Sequence, residues 1–443
     1  MTKKDFLTLF FEKLNSQNIN YFVYGNYSEL PVDTGGSDID IVIAECERNR
    51  FLTIFDKLMK NTSAFVASYF KSTHSYMYRI LNGNEGDYWG VQIDIFFKGF
   101  CHHNVSYFPI SFIHDSIISH HNIKVLEETR GYYIGFLKEL IHTAKVKQKY
   151  VDGFVDFINS DKERYLEELQ KLYGNEFKKL IEANLQTKDF PYKKLQHLMR
   201  VVVHKHSFFS DIYSKISRFY RLFNKRPGYV IVVEGTDGSG KSTIINAFTP
   251  WLNECFHNGV VYNHLRPNLL NDLGVVLGKK EKKSKPVINS TPHAGKPSGF
   301  IGSLCRWSYY MLDYTIGYMK IVWPIIHTKS TVFVFDRYYY DYYVDPYRSS
   351  TILPNWILKL GEKFIATPDL IICLGGDPEK IYARKPETSL EEVKRQTKVL
   401  KDFASTHKKA VWVDTTTTPE ESIKAAKDAI VKMMSKRFAN TKL

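Results

Sequence analysis

The segment Glu234–Thr243 has the residue pattern of a phosphate-binding loop. Its sequence, EGTDGSGKST, contains G-x-x-x-x-G-K-[ST] and directly follows the apolar run Tyr229–Val233, which predicts a buried strand. Glycines in the loop let the backbone curl so that its N–H groups face a phosphate chain. Lys241 would add a charge near the terminal phosphates, and the Ser242 hydroxyl can bind Mg²⁺. The predicted nucleotide-binding residues are Gly235, Gly238, Ser239, Gly240, Lys241, Ser242 and Thr243.

A second pattern, in the first hundred residues, consists of three aspartates. Asp38 and Asp40 alternate in the run that ends at Ile43, so a strand here would send both side chains to one face. Asp94, in the run Val91–Phe97, can join them from a neighbouring strand. Converging carboxylates repel one another unless divalent cations neutralise them, and two Mg²⁺ ions held in this way assist attack on a phosphate. The spacing predicts a magnesium site at these three residues.

The elements that must position these residues fall into three blocks. A chain of 443 residues exceeds one ordinary core, so we expect several domains. Residues 1–125 mix strands and helices, and residues 126–224 show helical apolar spacing. In residues 225–443, β-branched runs alternate with helices, which is typical of a parallel sheet covered on both faces. The predicted fold class is α/β, with an N-terminal α+β domain, a helical middle and a C-terminal parallel-sheet domain.

The composition is that of a globular protein with anionic ligands. Apolar residues make up 44% and charged residues 24%, and the net charge of +14 favours nucleic acid, acidic lipid or phosphorylated substrates as partners. The five cysteines are scattered without a C-x-x-C motif, which predicts reduced thiols in a cytoplasmic protein. We expect neither a signal peptide nor a transmembrane segment, because no apolar run has the required length.

The C-terminal half resembles the thymidylate kinase family. The shared features stand in the family's order: the loop EGTDGSGKST, Asp336-Arg337-Tyr338 after an apolar strand, Pro368-Asp-Leu before another, an arginine-bearing lid, and Asp414 at the end of a final strand. The similarity covers roughly residues 229–435. It implies a P-loop kinase with a nucleoside-monophosphate-kinase-like fold. Such a kinase moves the γ-phosphoryl group of ATP onto an acceptor that, in the family, is itself a phosphate monoester.

The resemblance and the chemistry of phosphoryl transfer assign roles to side chains, because transfer needs positioning and charge neutralisation more than covalent chemistry. Arg337 and Arg266 suit bidentate contact with an acceptor phosphate. Arg384 and Lys385 can supply the lid cation that this phosphate loop lacks. The predicted catalytic residues are Lys241, Asp237, Asp336, Arg337, Arg384 and Lys385, and the predicted substrate-binding residues are Arg266, Arg306, Arg337 and Tyr338.

The acceptor side is where the sequence departs from the family. Asp237 would contact the acceptor's sugar or a magnesium-bound water, and Asp336 would orient the acceptor or the metal. After Tyr338, the aromatic segment Tyr339–Arg348 replaces the usual serine-containing, alanine-rich helix. Its tyrosines can stack on a base or a sugar, and core packing explains them equally well. A phosphorylated nucleoside and a sugar or glycan of surface-polysaccharide metabolism therefore both stand as acceptor classes.

Residues 18–100 resemble the nucleotidyltransferase superfamily of the DNA-polymerase-β type. A strand ending in Gly25, the motif Asp38-Ile39-Asp40 and the later Asp94 stand in that superfamily's order. Members carry a Gly or Ser after that glycine, beside a helix that receives the triphosphate, and this chain has Asn26 there. The resemblance implies either an active transferase with Mg²⁺ at the aspartates or an inactive fold that binds a ligand or partner.

Three further polar features have ordinary explanations. His102 and His103 would point to opposite faces of a strand, so we expect polar histidines there rather than a metal site. The basic amphipathic stretch from Arg200 to Arg226 predicts a solvated helix face, with contact to anionic lipid or RNA as the alternative. The lysine-rich run Lys279–Lys285 predicts a solvated loop, with a flap over the substrate as the alternative.

These patterns predict a two-enzyme chain. Residues 1–125 would form a nucleotidyltransferase-like domain, residues 126–224 a helical linker or substrate module, and residues 225–443 a kinase that uses ATP and Mg²⁺. The leading hypothesis is phosphoryl transfer to a phosphorylated nucleoside or a sugar or glycan. The alternative is nucleotidyl transfer to RNA, protein or a small molecule, with the kinase-like part supplying or sensing nucleotide. A third hypothesis is a nucleotide-gated binding protein without catalysis.

Overall fold

The computed structural model describes residues 1–72, 75–84, 87–103, 105–205, 216, 225–276, 299–439 and 441. The chain divides into two compact units. The first takes in the described residues of Met1–Ile80, Val91–Phe223 and Asn440–Leu443, and the second those of Leu81–Gly90 and Asn224–Ala439. The described part of the helical middle therefore falls within the first unit. No described helix is long and apolar enough to cross a membrane.

The strands of the N-terminal region form a mixed sheet and a small ribbon. Seven strands join in the order β3-β4-β5-β2-β1-β9-β8, and β6 pairs with β7 separately. The strands are β1 (Tyr21–Tyr24), β2 (Ile39–Ile43), β3 (Phe65–Lys71), β4 (Ser75–Asn84), β5 (Asp87–Phe96), β6 (Phe100–His102), β7 (Val105–Phe108), β8 (Ile117–His120) and β9 (Ile123–Leu126). The predicted strands around Tyr21, Asp40, Tyr76 and Ile93 are present, whereas the sequence patterns do not predict β3, β7, β8 and β9.

The pairing of the central strands decides where the aspartates lie. Strand β2 runs parallel to β5, and this register sets Asp40 beside Asp94. On its other side β2 runs antiparallel to β1, which sets Tyr24 beside Asp40. Because side chains alternate between the two faces of a strand, paired positions share a face. The sheet therefore brings together carboxylates that lie more than fifty residues apart in sequence.

The helices of the first unit form around apolar side chains repeated every three or four residues. In the first helix a capping box of Thr2 and Asp5 satisfies the N-terminal N–H groups, and Phe6, Phe10 and Leu14 are buried at the spacing of one turn. The helices are α1 (Lys3–Ser16), α2 (Arg48–Lys60), α3 (Glu128–Thr143), α4 (Gln148–Ser160), α5 (Lys162–Tyr173), α6 (Asn175–Asn184) and α7 (Tyr192–Val203).

The second unit contains the parallel sheet that its apolar runs predict. Five strands lie in the order β11-β12-β10-β13-β14, and every pair of neighbours is parallel. The strands are β10 (Tyr229–Gly235), β11 (Val260–His264), β12 (Val332–Asp336), β13 (Leu370–Gly375) and β14 (Ala410–Asp414). All residues of β10, β12 and β13 are buried, as the continuous β-branched runs require.

Helices link these strands, so all five strands present their carboxyl ends at one edge of the sheet. The register places His264 beside Asp336 and Asp336 beside Val233, directly before the phosphate loop. Ligands bind at this edge in open parallel sheets. The helices are α8 (Lys241–Phe256), α9 (Leu273–Val276), α10 (Phe300–Leu312), α11 (Trp323–Thr328), α12 (Asp341–Val344), α13 (Asn355–Glu362), α14 (Pro378–Arg384), α15 (Leu390–Thr406) and α16 (Pro419–Phe438), with a π-helix at Asp313–Val322.

Candidate active site

The predicted phosphate loop joins the carboxyl end of β10 to the N-terminus of α8. Gly238 and Gly240 have φ values of +80° and +81°, a backbone conformation that side-chain-bearing residues rarely adopt. A Cβ atom on Gly238 would also lie 2.8 Å from the carbonyl oxygen of Ile381 in α14. Helix α8 starts at Lys241, so its first N–H groups have no helical partner and present partial positive charge. The loop has the backbone of an anion-binding site.

Lys241 is buried and folded back over the loop. Its Nζ donates to the carbonyl oxygens of Gly235 and Thr236, each at 2.9 Å. Burial, followed by the nearby charge of Arg337, lowers the pKa of this lysine to about 8. A phosphate in the loop would be a stronger acceptor for this ammonium than two neutral carbonyls, because a charge-assisted hydrogen bond is the stronger one.

Arg337 follows β12 in a strained backbone conformation. It is 4% exposed and has a φ of +66°, which is uncommon for a residue with a side chain. Its guanidinium forms ion pairs with Asp237 at 2.7 Å and Asp341 at 3.3 Å. Burial opposes the charged form, but the charges of Asp341 and Asp237 outweigh it and raise the pKa of Arg337. Strain of this kind at a strand end is typical of functional positions.

Arg348 is a second arginine at this site, and no sequence motif predicts a role for it. Its guanidinium contacts the carboxylate of Asp237 and pairs with Asp345 at 3.2 Å. Burial alone would raise the pKa of Asp237, but Arg337 and Arg348 hold it well below its usual value. The Asp237 carboxylate therefore orients two arginines, and its contact with the acceptor's sugar or a magnesium-bound water stays a prediction.

Asp336 lies at the carboxyl end of β12, beside the phosphate loop. Its Oδ2 accepts a hydrogen bond from the Tyr262 hydroxyl at 3.1 Å and lies 3.6 Å from Nδ1 of His264. Burial would raise the pKa of Asp336, but the nearby imidazole of His264 and the charge of Lys241 lower it to about 2. Its Oδ1 is buried and accepts no hydrogen bond from the described residues. A charged carboxylate oxygen is thus available to a metal ion or its water.

The donors around the loop fit a polyphosphate with Mg²⁺. The hydroxyls of Thr236 and Ser239 are buried, and neither has a hydrogen-bond partner in the described part of the chain. Ser242 and Thr243 are exposed on the first turn of α8. Unpartnered buried hydroxyls are costly unless a ligand satisfies them. The loop therefore combines donors for phosphate oxygens with the hydroxyl and carboxylate oxygens that Mg²⁺ prefers.

The loop after β11 holds Arg266 in a fixed orientation. The guanidinium pairs with Asp313 at 3.3 Å and lies over the ring of Tyr310, 4.1 Å from its centroid. Asp313 is fully buried at the start of the π-helix, and its other oxygen accepts the N–H of Leu269 at 2.8 Å. A π-helix of this length is rare and often marks a functional site. Arg266 is thus preorganised just beyond the carboxyl end of a sheet strand.

The remaining predicted kinase residues lie in different surroundings. Tyr338 is fully buried, its hydroxyl donates to the Ala366 carbonyl oxygen at 3.2 Å, and its ring packs in the core, so it does not line an open site. Arg306 is half-buried on α10, with a buried Nε that bonds to no described residue. Arg384 and Lys385 are exposed at the end of α14, and Lys385 pairs with Glu387 at 2.9 Å. The backbone of Lys385 nevertheless lies against Gly238 of the loop.

In the first unit, Asp38, Asp40 and Asp94 do converge. One carboxylate oxygen from each lies within 4.8 Å of the others. Gln92 donates to Asp38 at 3.3 Å and to Asp94 at 3.1 Å. Burial and the neighbouring Asp38 charge raise the pKa of Asp40. The cluster has the oxygen donors of a divalent-cation site, and its acids are held close together against their mutual repulsion.

No helix lies between Gly25 and Asp38, where the nucleotidyltransferase resemblance implies a triphosphate-binding helix. Gly25 directly follows β1 with a φ of +93°, and the fully described segment 25–38 contains turns. The side chain of Asn26 instead accepts a hydrogen bond from the Ser28 hydroxyl at 3.0 Å. The carboxylates are therefore present without the helix N-terminus that would receive phosphates beside them.

Comparison with known proteins gives limited information. No protein-family model matches the chain, and no curated protein sequence matches it. Among solved structures, the chain is similar to thymidylate kinase from Ehrlichia chaffeensis, at 21% identity and a TM-score of 0.31. The similar region covers 46% of this chain and 98% of that one. Function is therefore inferred from the geometry of the site.

Two surface predictions depend partly on residues outside the described ranges. The lysine run Lys279–Lys285 lies wholly outside them, as do Lys215, Arg218 and Arg221 of the basic stretch. Of the described members, Arg200 donates to the Ile141 carbonyl oxygen at 2.7 Å, and Arg226 pairs with Asp369 at 2.6 Å. These two arginines are bound within their own units, so they are not part of a freely solvated basic face.

Proposed function

We propose that the second unit transfers the γ-phosphoryl group of ATP to an anionic acceptor. The observation that carries this proposal is the cluster of cations around the phosphate loop: Lys241 on the loop carbonyls, with Arg337 and Arg348 held together by Asp237. Phosphoryl transfer depends on positioned cations that neutralise charge as it moves between oxygens. Three buried or half-buried cations at the carboxyl edge of a parallel sheet meet that requirement.

Each side chain then has a defined task. The loop N–H groups and the hydroxyls of Thr236 and Ser239 bind phosphate oxygens, and the Lys241 ammonium neutralises the terminal phosphates. When bound, Mg²⁺ would neutralise further phosphate charge, and Ser242 and Asp336 are the residues that would hold it. The end of α14 lies against Gly238 of the loop. When α14 closes over the nucleotide, the exposed Arg384 and Lys385 supply the lid cations.

We place the acceptor beside Arg266, Arg337 and Arg348. Arg266 is oriented by a buried aspartate and an aromatic ring, an arrangement suited to a planar, bidentate contact with a phosphate or carboxylate. A phosphorylated nucleoside and a sugar or glycan of surface-polysaccharide metabolism are the two proposed acceptor classes. The five cysteines are free, as a reducing cytoplasm would keep them.

The test is a pair of incubations with a metabolite extract and Mg²⁺, one with γ-labelled ATP and one with α-labelled ATP. We expect γ label in a product that disappears with Lys241→Ala and persists with Lys432→Ala, which replaces an exposed lysine on α16. Competition by thymidine nucleotides then separates the nucleoside from the sugar acceptor. Absence of any γ-labelled product with the wild-type chain would contradict the proposal.

The second candidate function is nucleotidyl transfer by the first unit. The convergence of Asp38, Asp40 and Asp94 within 4.8 Å favours it, because such a cluster can hold the metal ions that this chemistry uses. In the same experiment, this function predicts α label that disappears with Asp38→Asn/Asp40→Asn and persists with Lys241→Ala. The missing triphosphate-binding helix makes it the weaker candidate.

A further inference from the structure

Four histidines of the first unit meet beside the ribbon of β6 and β7. His102 ends β6, His103 follows it, His142 lies in the last turn of α3, and His204 caps the C-terminus of α7. The Nδ1 of His102 lies 2.7 Å from the Nε2 of His204. The rings of His102 and His142 have centroids 4.8 Å apart. Three separate segments of the chain thus bring imidazoles to one place.

The expectation that His102 and His103 point to opposite faces is wrong for a local reason. Strand β6 ends at His102, and His103 has a left-handed φ of +48°, so strand alternation does not extend to it. The two rings instead stack with centroids 4.1 Å apart and an angle of 19° between their planes. One ring nitrogen from each of His102, His103 and His204 lies within 4.8 Å of the others.

The histidines differ in exposure, and His103 is exposed whereas His102 is buried. His102 is only 4% exposed. The guanidinium of Arg200 donates to the carbonyl oxygens of Ile141 and His142 beside the histidines. Neutral imidazole is the form that binds transition metals.

We propose that His102, His103 and His204 form a binding site for a divalent transition-metal ion of the zinc class. Metal–nitrogen distances of about 2.0–2.1 Å place the nitrogens of a tetrahedral site about 3.3 Å apart. Coordination requires the rings to rotate, because nitrogens up to 4.8 Å apart must approach to that distance and the stacked rings of His102 and His103 must turn toward one ion. His142 or a water completes the coordination. Three nitrogen ligands favour zinc, cobalt or nickel over the magnesium that the aspartate cluster would take.

Such an ion would tie the end of α7 to the ribbon. His204 and His102 are 102 positions apart in sequence, so their joint coordination closes a long loop of the chain. We expect the metal to raise the melting temperature of the first unit, because an ion that binds only the folded chain stabilises it. This role does not depend on the proposed kinase activity.

The experiment measures metal content in the full chain, expressed without a polyhistidine tag and dialysed against Zn²⁺ or Co²⁺. We expect about one tightly held ion per chain and, with Co²⁺, the intense visible bands of tetrahedral coordination. His103→Ala replaces an exposed ligand and should leave the fold intact while removing the ion and the bands. His204→Ala should do the same.

Two matched controls separate this site from others. His197→Ala replaces an exposed histidine on α7 and should keep the ion, and Asp38→Asn/Asp40→Asn should keep it as well. Far-ultraviolet circular dichroism checks that each variant is folded. The proposal is overturned if the wild-type chain retains no ion after dialysis, or if folded His103→Ala and His204→Ala retain it in full. In either case the 2.7 Å contact is a hydrogen bond between two histidines.

Discussion

The phosphate loop of the second unit and the aspartate cluster of the first unit differ in how far basic side chains balance their acidic groups. Around the loop, basic side chains lower the pKa values of Asp237 and Asp336 against the effect of burial, and Asp237 pairs with two arginines. In the first unit, burial and the charge of Asp38 raise the pKa of Asp40 more than the charge of Lys138 lowers it. The loop site is organised by several ion pairs. In the aspartate cluster, Arg79 pairs with Asp94 at 3.6 Å, and a bound cation would offset the remaining repulsion among the acids.

This difference indicates what each site binds. A cluster of fixed cations with compensating acids is preorganised for a polyanion, because the cations need not move when the phosphates bind. A cluster of acids that repel one another is organised for a metal, whose charge offsets the repulsion. Because of this contrast, we expect the two sites to respond in opposite ways to mutation of their charged residues.

The largest effect is expected at Lys241. Lys241→Ala removes the charge nearest the terminal phosphates and should lower kcat/KM for ATP by about 10³-fold. Lys241→Arg keeps a charge and should retain part of the activity. Steady-state kinetics with the labelled acceptor measures both. If Lys241→Ala still binds metal at Asp38, Asp40 and Asp94, the two sites are independent. If Lys241→Ala is as active as the wild-type chain, this loop is not the ATP site.

Arg348 should have the next largest effect. Arg348→Ala removes one of the two arginines on Asp237 and should lower kcat/KM for the acceptor by about 10²-fold, with a smaller effect on ATP. Arg348→Lys should recover little, because lysine cannot make the two-pronged contact. Arg164→Ala, which breaks the exposed pair with Asp115, is the control and should leave activity unchanged. An unchanged acceptor KM and kcat in Arg348→Ala would exclude Arg348 from the site.

Arg348 also shows what sequence reasoning can and cannot supply. Gly235–Ser242 and Arg337 lie, as their patterns predict, at the carboxyl edge of a parallel sheet, because motif spacing and apolar runs are local signals. Arg348 contacts Asp237, which lies 111 residues away in sequence, and no local sequence pattern predicts such a contact. The prediction for His103 fails differently: alternation holds only inside a strand, and the strand ends one residue earlier. The unit boundaries likewise depend on packing that no sequence window contains.

Gly238→Ala tests the close approach of α14 to the loop. The new Cβ would meet the Ile381 carbonyl oxygen at 2.8 Å, and the residue has a φ of +80°. We expect a loss of about 1–3 kcal/mol in unfolding free energy and a raised KM for ATP. Gly131→Ala on α3 is the matched control, because a Cβ added there would meet no neighbouring group within 4 Å. This substitution should leave the unfolding free energy unchanged or raise it by about 0.5–1 kcal/mol. Thermal unfolding and ATP titration distinguish the two.

The pH dependence of ATP use should report Lys241. Its pKa of about 8 in the free chain means that the ammonium is charged below that pH and neutral above it. We therefore expect kcat/KM for ATP to be constant below about pH 8 and to fall above it by up to about tenfold per pH unit. In Lys241→Arg the fall should be absent, because arginine stays charged. A profile that is flat to about pH 10 in the wild-type chain would contradict the assignment.

The smallest effect is the most direct test of the comparison, because it predicts changes of opposite sign at two aspartates. The pKa of Asp237 is lowered on folding, so its charge stabilises the fold above the unfolded pKa of about 3.8, and Asp237→Asn should destabilise. The pKa of Asp40 is raised on folding, so ionisation costs stability as pH rises above about 4, and Asp40→Asn should stabilise the metal-free chain.

We expect changes of about 1–2 kcal/mol in each direction at neutral pH. Hydrogen exchange of peptides from β10 and β2, followed by mass spectrometry, reports the two regions separately. Adding Mg²⁺ should protect β2 in the wild-type chain and not in Asp40→Asn, since the metal offsets the repulsion that the substitution removes. If both substitutions destabilise and Mg²⁺ changes neither, the aspartate cluster is held by ordinary polar packing, and the contrast between the two sites fails.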